Sequence, residues 1–184
     1  MQIGNGFGHF TAAAIRFARA AGVRHLIYTS VLQAPSSRLE IAGDHKATEE
    51  VISQSGIAAT ILRNGWYTEN QRLDFDSARE RGVIANSIGR GRIASAPRRE
   101  YGEASTVVVG TPGHERQMYE LSGDSVWSFP EFANTASEVL KRPVRYDVLT
   151  GTLQGDQLTA AGLPEKPLIF SSASTQIWPK VRST

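Results

Sequence analysis

The sequence predicts an α/β fold in which helices cover a parallel, doubly wound sheet. The first observation is a helical pattern that ends at Gly22 and is followed directly by a strand-like run, Val23–Ser30. The second is that the same order of helix and strand recurs with short links over residues 43–63. Alternating helices and strands are typical of a parallel sheet with crossover helices. Because two parallel strands bury too little surface alone, we expect further strands to complete the sheet.

The first helix is marked by apolar residues that recur at the spacing of one helical face. They are Phe10, Ala13, Ala14, Phe17, Ala18 and Ala21. Gly22 follows them, where a C-terminal cap is expected. Before this helix, the glycines of residues 4–8 resemble a dinucleotide-binding fingerprint. That fingerprint needs a preceding strand, and too few residues precede the glycines to form one. Residues 4–8 are therefore predicted to be a flexible loop.

A second helix is predicted over residues 43–55, with Asp44 as its N-cap and Gly56 at its end. Its inward-facing residues are predicted to be Ala47, Val51 and Ile52. Later helices are predicted over 73–81, 98–109 and from a capping box at Ser128–Glu131 to Leu140. Later strands are predicted over 83–85, 92–95, 117–121 and 144–149. Beyond Pro164 the periodicity is lost, and Ser171–Thr184 is expected to be poorly packed.

Length and composition limit the class of protein. A chain of 184 residues and 20.0 kDa is long enough for one domain with a real core. Its net charge of +2 gives no strong field for a polyanion, so nucleic-acid binding is not predicted. No apolar run approaches the roughly 20 residues that cross a bilayer. The sequence therefore predicts no membrane span and, by default, a cytoplasmic protein.

Residue types that bind metals or act as nucleophiles are sparse. Cysteine is absent, which excludes disulfides, thiolate nucleophiles and cysteine metal ligands. The four histidines, His9, His25, His45 and His114, are widely separated and form no His-x-x-x-His pair. No metal site is therefore predicted.

The most informative stretch is Leu62–Asn70, where an apolar strand gives way to an Asn-Gly turn, two aromatic residues and polar side chains. Thr29 and Ser30 end the preceding strand, and His45 lies on the helix between the two strands. Because adjacent parallel strands bring their carboxyl ends to one edge, we expect these groups to face one crevice. Hydroxyl, amide, imidazole and aromatic groups together suit a planar, amide-bearing aromatic ligand.

Two plainer interpretations stay open at this point. The segment Asn64–Glu69 is also compatible with a simple strand-to-helix turn in which Trp66 and Tyr67 are half-buried anchors. His45 is also compatible with an exposed helical histidine that has no special role.

Six segments occur in an order that resembles the NmrA-like branch of the atypical short-chain dehydrogenase/reductase superfamily. They are Tyr28–Ser30, Asp44–Glu49, Leu62–Asn70, Ile93–Ala96, Gly113–Glu115 and Tyr119–Ser128. Within that branch the sequence is most similar to NAD(P)H:quinone oxidoreductases of type 2, and triphenylmethane reductases are close relatives. The similarity extends from about Val23 to Pro164, and Leu62–Asn70 is its most distinctive part.

The resemblance implies a Rossmann sheet that binds NADPH, with NADH as an alternative, and hydride transfer to a quinone or dye. The implied cofactor-binding residues are Thr29, Ser30, Asn64, Gly65, Trp66, Tyr67, Thr68 and Glu69. His45 matches a helical position where many relatives keep a lysine, and it is the catalytic candidate. The resemblance further divides the chain into the rear of the nucleotide-binding domain (1–70), the remaining sheet with a small, interleaved α/β substrate lobe (71–164), and a disordered tail (165–184).

The resemblance also implies that part of the family's cofactor site lies outside this sequence. Family members begin with a strand, a Gly-x-x-Gly-x-x-Gly turn and a helix, which are absent before Met1. We therefore expect a partial Rossmann-like sheet that lacks its first strands. Two alternatives to a reductase stay open: a non-catalytic NmrA-like regulator that senses the nicotinamide redox state, and an inactive truncated remnant. A homodimer is also left open.

Overall fold

The structure, a computed structural model, describes the backbone of residues 4–160 and, within that range, the side chains of residues 11–153, 155 and 156. Its helices are α1 (Gly4–Ala20), α2 (Glu40–Gln54), α3 (Arg72–Arg81), α4 (Arg98–Gly110), α5 (Phe129–Leu140) and α6 (Gly151–Ala160), with a short 3-10 helix at Thr68–Gln71. Its strands are β1 (His25–Val31), β2 (Ala58–Asn64), β3 (Trp66–Tyr67), β4 (Val83–Asn86), β5 (Arg92–Ala96), β6 (Met118–Leu121), β7 (Val126–Ser128) and β8 (Arg145–Val148). The predicted α/β class is confirmed.

The chain divides into two compact units. The first comprises the described residues up to Gly65 together with Arg98–Ser122, and its strands form a parallel sheet in the order β1-β2-β6. Helices α1 and α2 pack on this sheet, and the core between them is built from isoleucines. They are Ile15, Ile52 and Ile61.

The second unit comprises Trp66–Pro97 together with the described residues from Gly123 onward. It contains one sheet in the order β3-β5-β7, in which β5 and β7 are antiparallel, and a parallel pair formed by β4 and β8. Its core surrounds Phe129, which is fully buried. The Phe129 ring stacks on Tyr146 at a centroid distance of 5.5 Å and meets Trp127 edge-on at 5.5 Å.

Most predicted element ends are present in the structure. Gly22, Gly56 and Gly82 have φ values of +73°, +77° and +69°, the left-handed conformation that ends a helix and that glycine adopts without a steric cost. The capping box at the start of α5 is also present. The Ser128 hydroxyl accepts from the Glu131 N–H, and the Glu131 carboxylate accepts from the Ser128 N–H at 2.6 Å.

Several local predictions are wrong. The glycines of residues 4–8 are helical, because α1 begins at Gly4 and its packing on the sheet outweighs their weak helix propensity. Asp44 is not an N-cap, because α2 begins four residues earlier, after Leu39. This earlier start leaves Ala47 exposed and buries Thr48.

Four elements of the structure are absent from the sequence-based prediction, and two predicted regions lie outside the described residues. The sequence did not predict β3, β7, the short 3-10 helix or α6. The region beyond Pro164 and the tail of residues 165–184, including Ser171–Thr184, lie outside the described residues.

A buried ion cluster fastens β2 to its neighbours in the first unit. The Arg63 guanidinium makes two hydrogen bonds to Glu49 on α2, Nε to Oε1 at 3.0 Å and Nη2 to Oε2 at 2.6 Å. Its third nitrogen bonds Oε1 of Glu120 on β6 at 2.7 Å. The side chains of Arg63 and Glu49 are only 10% and 11% exposed, so each depends on the other for compensation of its charge.

We expect Arg63→Ala to lower the free energy of unfolding by roughly 3–5 kcal/mol, because it leaves the Glu49 carboxylate buried without a cation. Urea denaturation of the purified protein measures the loss. Arg99→Ala is the matched control, since Arg99 forms an exposed pair with Glu103 one helical turn away. It should cost no more than about 0.5 kcal/mol. Equal losses in the two variants would contradict the role assigned to Arg63.

We expect Gly65→Ala to cost roughly 1–3 kcal/mol, because overpacking forces neighbouring atoms to move. A Cβ at Gly65 would lie 3.0 Å from the carbonyl oxygen of Leu121 and 3.1 Å from the hydroxyl of Tyr101. Gly102 in α4 is the control, since nothing lies within 4 Å of its Cβ position. There, alanine should stabilise the helix by about 0.5–1 kcal/mol. Thermal melts measure both changes, and a stabilised Gly65→Ala protein would show that this approach is not tight.

Candidate functional site

The carboxyl ends of β1 and β2 lie side by side in the first unit. Ser30 is paired with Arg63, and Val31 with Asn64, in parallel register. The backbone N–H of Leu32 donates to the carbonyl of Asn64 at 2.8 Å, which holds the chain leaving β1 against the end of β2. The structure thus brings together the ends of the two strands on which the sequence placed its candidate groups.

Thr29 and Ser30 have different surroundings, although they are adjacent, because successive residues of a strand point to opposite faces. Thr29 is exposed. Ser30 is 5% exposed, and its hydroxyl donates to Oε1 of Glu49 at 2.6 Å. The hydroxyl proton of Ser30 is therefore committed to the ion cluster, and only its oxygen lone pairs remain as acceptors.

The Glu49 carboxylate is held in its ionised form. Burial by itself raises its pKa, but hydrogen bonds from Arg63 and Ser30 outweigh this, so the pKa lies below its ordinary value. For Arg63 the leading influence is its hydrogen bond to Glu49, which raises the pKa of the guanidinium. At neutral pH, the Glu49 carboxylate and the Arg63 guanidinium beside Ser30 are therefore both charged.

His45 is half-buried and bonded to a residue of β1. Its Nδ1 lies 2.8 Å from the hydroxyl of Tyr28, and the two ring centroids are 5.8 Å apart. Burial lowers the pKa of His45, while the carboxylates of Glu49 and Asp44 act less strongly in the opposite direction. Burial also raises the pKa of Tyr28. Both side chains are thus neutral at pH 7.

The neutral pair has a defined direction of hydrogen bonding. A phenol is the better donor and an imidazole nitrogen the better acceptor, so we assign the proton between them to Tyr28. The remaining ring proton of His45 then resides on Nε2. This tautomer gives α2 a neutral hydrogen-bond donor at Nε2, and the ring becomes an acid when it takes up a second proton.

The turn at the end of β2 is tightly packed. Asn64 is 6% exposed, and the Gly65 N–H donates to the carbonyl of Leu121 at 2.7 Å. The Asn64 amide is therefore buried and the Gly65 N–H is engaged within the first unit.

The rest of the predicted segment belongs to the second unit. Trp66 and Tyr67 are half-buried, whereas Thr68 and Glu69 are exposed. Trp66 is paired with Ser95 in parallel register, and the Thr68 hydroxyl donates to Ser95 Oγ at 3.0 Å. The expectation that all eight predicted residues face one crevice stays a prediction, because these four belong to a unit described separately.

Sequence reasoning missed the ion cluster and the hydroxyl of Tyr28. A signal for the cluster was available, since Arg63 lies in an apolar strand, and a buried cation requires partners. The partners themselves were not predictable, because Glu49 and Glu120 are 14 and 57 positions away.

An open cavity of about 480 Å³ lies against α2 in the first unit. Its walls include Ile52, Ile61 and Met118, with Lys46 and Arg116 also lining it. Neither His45 nor any of the eight predicted cofactor residues lines this cavity. Within residues 11–153, 155 and 156, no three acidic or histidine side chains are grouped as a metal site requires.

No protein-family model matches the sequence. Among curated proteins, the chain is similar to quinone oxidoreductase 2 of Escherichia coli, with 40% identity over 82% of this chain and 53% of that protein. The chain spans about half the length of the curated relatives it matches.

Two solved structures resemble the chain over 90% of its length. The first is the NADPH complex of the E. coli quinone oxidoreductase QOR2, with 37% identity, a TM-score of 0.83 and 58% of that chain covered. The second is the Citrobacter sp. triphenylmethane reductase complexed with NADP(H), with 31% identity, a TM-score of 0.81 and 58% covered. The resemblance predicted from the sequence is therefore confirmed: the chain is a homologue of these quinone and triphenylmethane reductases and has an NmrA-like fold of the short-chain dehydrogenase/reductase type.

Proposed function

We propose that this chain forms part of an NADPH-dependent reductase that transfers hydride to a quinone or a related dye. The observation that carries the proposal is the likeness to the E. coli quinone oxidoreductase, whose NADPH complex matches the chain at a TM-score of 0.83. A small, planar acceptor also agrees with the predicted ligand chemistry of the strand ends. NADH in place of NADPH stays an open alternative.

The donor set at the end of β1 and β2 fits the nicotinamide end of such a cofactor. The exposed side chain of Thr29 offers a hydroxyl donor and acceptor for a carboxamide, whereas Asn64, which is only 6% exposed, supports the same strand end as a buried residue. Ser30 can contribute only as an acceptor, since its proton is held by Glu49. We propose that Gly65 and residues 66–69 complete this binding surface. Bound NADPH supplies the hydride.

The proton that accompanies the hydride is assigned to His45. Reduction of a quinone to a hydroquinone consumes one hydride and one further proton. The candidate donor is the imidazolium form of His45, which releases its Nε2 proton to the reduced quinone and returns to the neutral imidazole bonded to Tyr28 through Nδ1. The neighbouring carboxylates Asp44 and Glu49 stabilise the charged imidazole that re-forms from solvent.

The quaternary structure, the location in the cell and the division of roles along the chain stay predictions. The predictions are a cytoplasmic protein, a nucleotide-binding part at residues 1–70 and a substrate lobe at residues 71–164, and a homodimer stays an open possibility. None of the helices that the structure describes combines the length and the apolar character needed to cross a bilayer.

A thermal melt of the purified chain with and without NADPH tests the proposed function. Ligand at about 100 times its dissociation constant should add about 2.7 kcal/mol to the free energy of unfolding. NADH in parallel ranks the two cofactors, and ATP is the control for non-specific binding of phosphates. The absence of any NADPH shift would contradict the proposal. A shift without quinone or dye turnover would instead favour the redox-sensing regulator.

His45→Gln tests the proton donor. Glutamine keeps an N–H near the Nε2 position but cannot release a proton, so kcat should fall about 100-fold with little change in KM. Glu50→Gln is the control, because Glu50 is an exposed residue of the same helix. Steady-state kinetics with NADPH and a quinone measure both variants. A kcat within twofold of the unmodified protein would remove His45 from the mechanism.

A further inference from the structure

A series of polar side chains extends through the second unit from Trp66, a residue of the proposed cofactor-binding surface, to side chains for which the proposed reductase chemistry has no role. The Gln71 amide is assigned with its oxygen toward Trp66 because the ring N–H of Trp66 then donates to that oxygen at 2.6 Å, whereas the opposite orientation sets two donors face to face. The amide nitrogen of Gln71 in turn donates to Oδ2 of Asp74 at 3.0 Å. Gln71 is only 7% exposed, so its amide must find its partners within the protein.

Beyond Asp74 the series continues to β4 and β8. The Tyr146 hydroxyl donates to Oδ1 of Asn86 at 2.8 Å and accepts from the N–H of Gly89 at 2.9 Å. The Asn86 side chain lowers the pKa of the Asp74 carboxyl. The amide nitrogen of Asn86 has no hydrogen-bond partner among the residues that the structure describes. We call Trp66, Gln71, Asp74, Asn86 and Tyr146 the Asp74 network.

The carboxyl of Asp74 titrates close to neutral pH. Burial raises its pKa from 3.8 to about 6, and the Asn86 amide offsets only part of this effect. Because the folded pKa is the higher one, the folded protein holds this proton more tightly than the unfolded chain does. The resulting stability is complete below about pH 3.8 and is lost as the pH rises through about 6. At neutral pH, where Asp74 is ionised, the folded protein has therefore lost this contribution to its stability.

The charged side chains next to Asp74 in the chain and on the 3-10 helix are paired with each other or exposed. On α3 itself, Arg72 and Asp76 pair with each other, Nε to Oδ2 at 2.8 Å. On the 3-10 helix, Glu69 is exposed. On β8, the pKa of Tyr146 is raised, first by burial and then by the Asp74 charge, so it stays neutral here. Helix α5 presents apolar residues of the core toward α3.

The state of Asp74 decides how the Gln71 amide is oriented. An ionised carboxylate only accepts hydrogen bonds, so it selects the orientation with the amide nitrogen toward Asp74 and the oxygen toward Trp66. A proton on Oδ2 makes Asp74 a donor, which requires the amide oxygen instead. The amide nitrogen would then face the Trp66 N–H, and both groups only donate. For a proton on Oδ2 the two arrangements exclude each other, whereas a proton on Oδ1 would leave the bond from Gln71 to Oδ2 in place.

We propose that Gln71 is a two-position relay through which protonation of Asp74 at Oδ2 breaks the hydrogen bond between Gln71 and Trp66. The relay is a pH-sensitive device that ends at Trp66, a residue of the proposed cofactor-binding surface, but its operation needs neither cofactor nor substrate. Trp66 is the first residue of β3, where the segment predicted to contact the cofactor enters the second unit. The proton on Asp74 is thereby coupled to the conformation of that segment.

The indole N–H of Trp66 reports directly on the relay. In ¹H–¹⁵N spectra of the full chain, the Trp66 indole signal is the one that disappears in Trp66→Phe. Between pH 4 and 7.5 this signal should shift along a single titration curve in step with Asp74, with a midpoint no higher than about 6 because the hydrogen bond from Gln71 also favours the carboxylate. A signal that does not move over this range in the unmodified protein would overturn the proposal. No cofactor or turnover is involved, so the outcome is independent of the reductase assays.

Three variants test whether the proton resides on Asp74 and acts on Trp66 through the Gln71 amide. Asp74→Asn cannot ionise, so the Trp66 signal should stay constant with pH, and Gln71→Met should abolish the titration because the relay is removed. Asp76→Asn is the matched control on the same helix and should leave the midpoint unchanged. A Trp66 titration that persists in Asp74→Asn would assign the proton elsewhere. One that persists in Gln71→Met would show that Asp74 does not act through the amide.

Discussion

The salt bridges of Arg63 are the interaction on which the first unit depends. One guanidinium on β2 joins the carboxylate of Glu49 on α2 to that of Glu120 on β6. A cation buried in a strand is tolerated only with such partners, so the helix and the neighbouring strand must be in place. The same two carboxylates accept further hydrogen bonds. Glu49 accepts one from the hydroxyl of Ser30, and Glu120 accepts one from the N–H of Gln33 at 2.8 Å. Gln33 has a φ of +53°, a conformation that this bond helps to hold.

In the second unit, a single neutral oxygen that accepts two hydrogen bonds joins neighbouring segments, whereas in the first unit salt bridges do so. Ser95 Oγ accepts from both Thr68 and the ring nitrogen of Trp127, the latter at 2.9 Å. The backbone of Gly123 packs so closely on Ser95 that a Cβ at Gly123 would overlap its carbonyl. Among the residues that the structure describes, β3, β5 and the chain before β7 are held by these neutral contacts and not by a buried ion pair.

Two carboxylates illustrate how surroundings decide behaviour. Glu49 and Asp74 both lose water on folding, which by itself raises the pKa of each. Glu49 has the cation of Arg63 beside it, so its pKa ends below the ordinary value. Asp74 has neutral amides as neighbours, so its pKa ends well above the ordinary value. The first group is therefore a permanent structural charge, while the second gains and loses its proton near physiological pH.

The sequence by itself determined the order of helices and strands, the glycine helix ends and the capping box of α5. Those features depend on neighbouring residues, whose φ preferences and hydrogen-bonding groups are readable along the chain. It also placed polar groups at the ends of β1 and β2. Only the tertiary structure decided that Ser30 serves the ion cluster while Thr29 is exposed, and that His45 is bonded to Tyr28. Partners of this kind come from distant parts of the chain, and their meeting depends on strand register and helix packing, which no local pattern specifies.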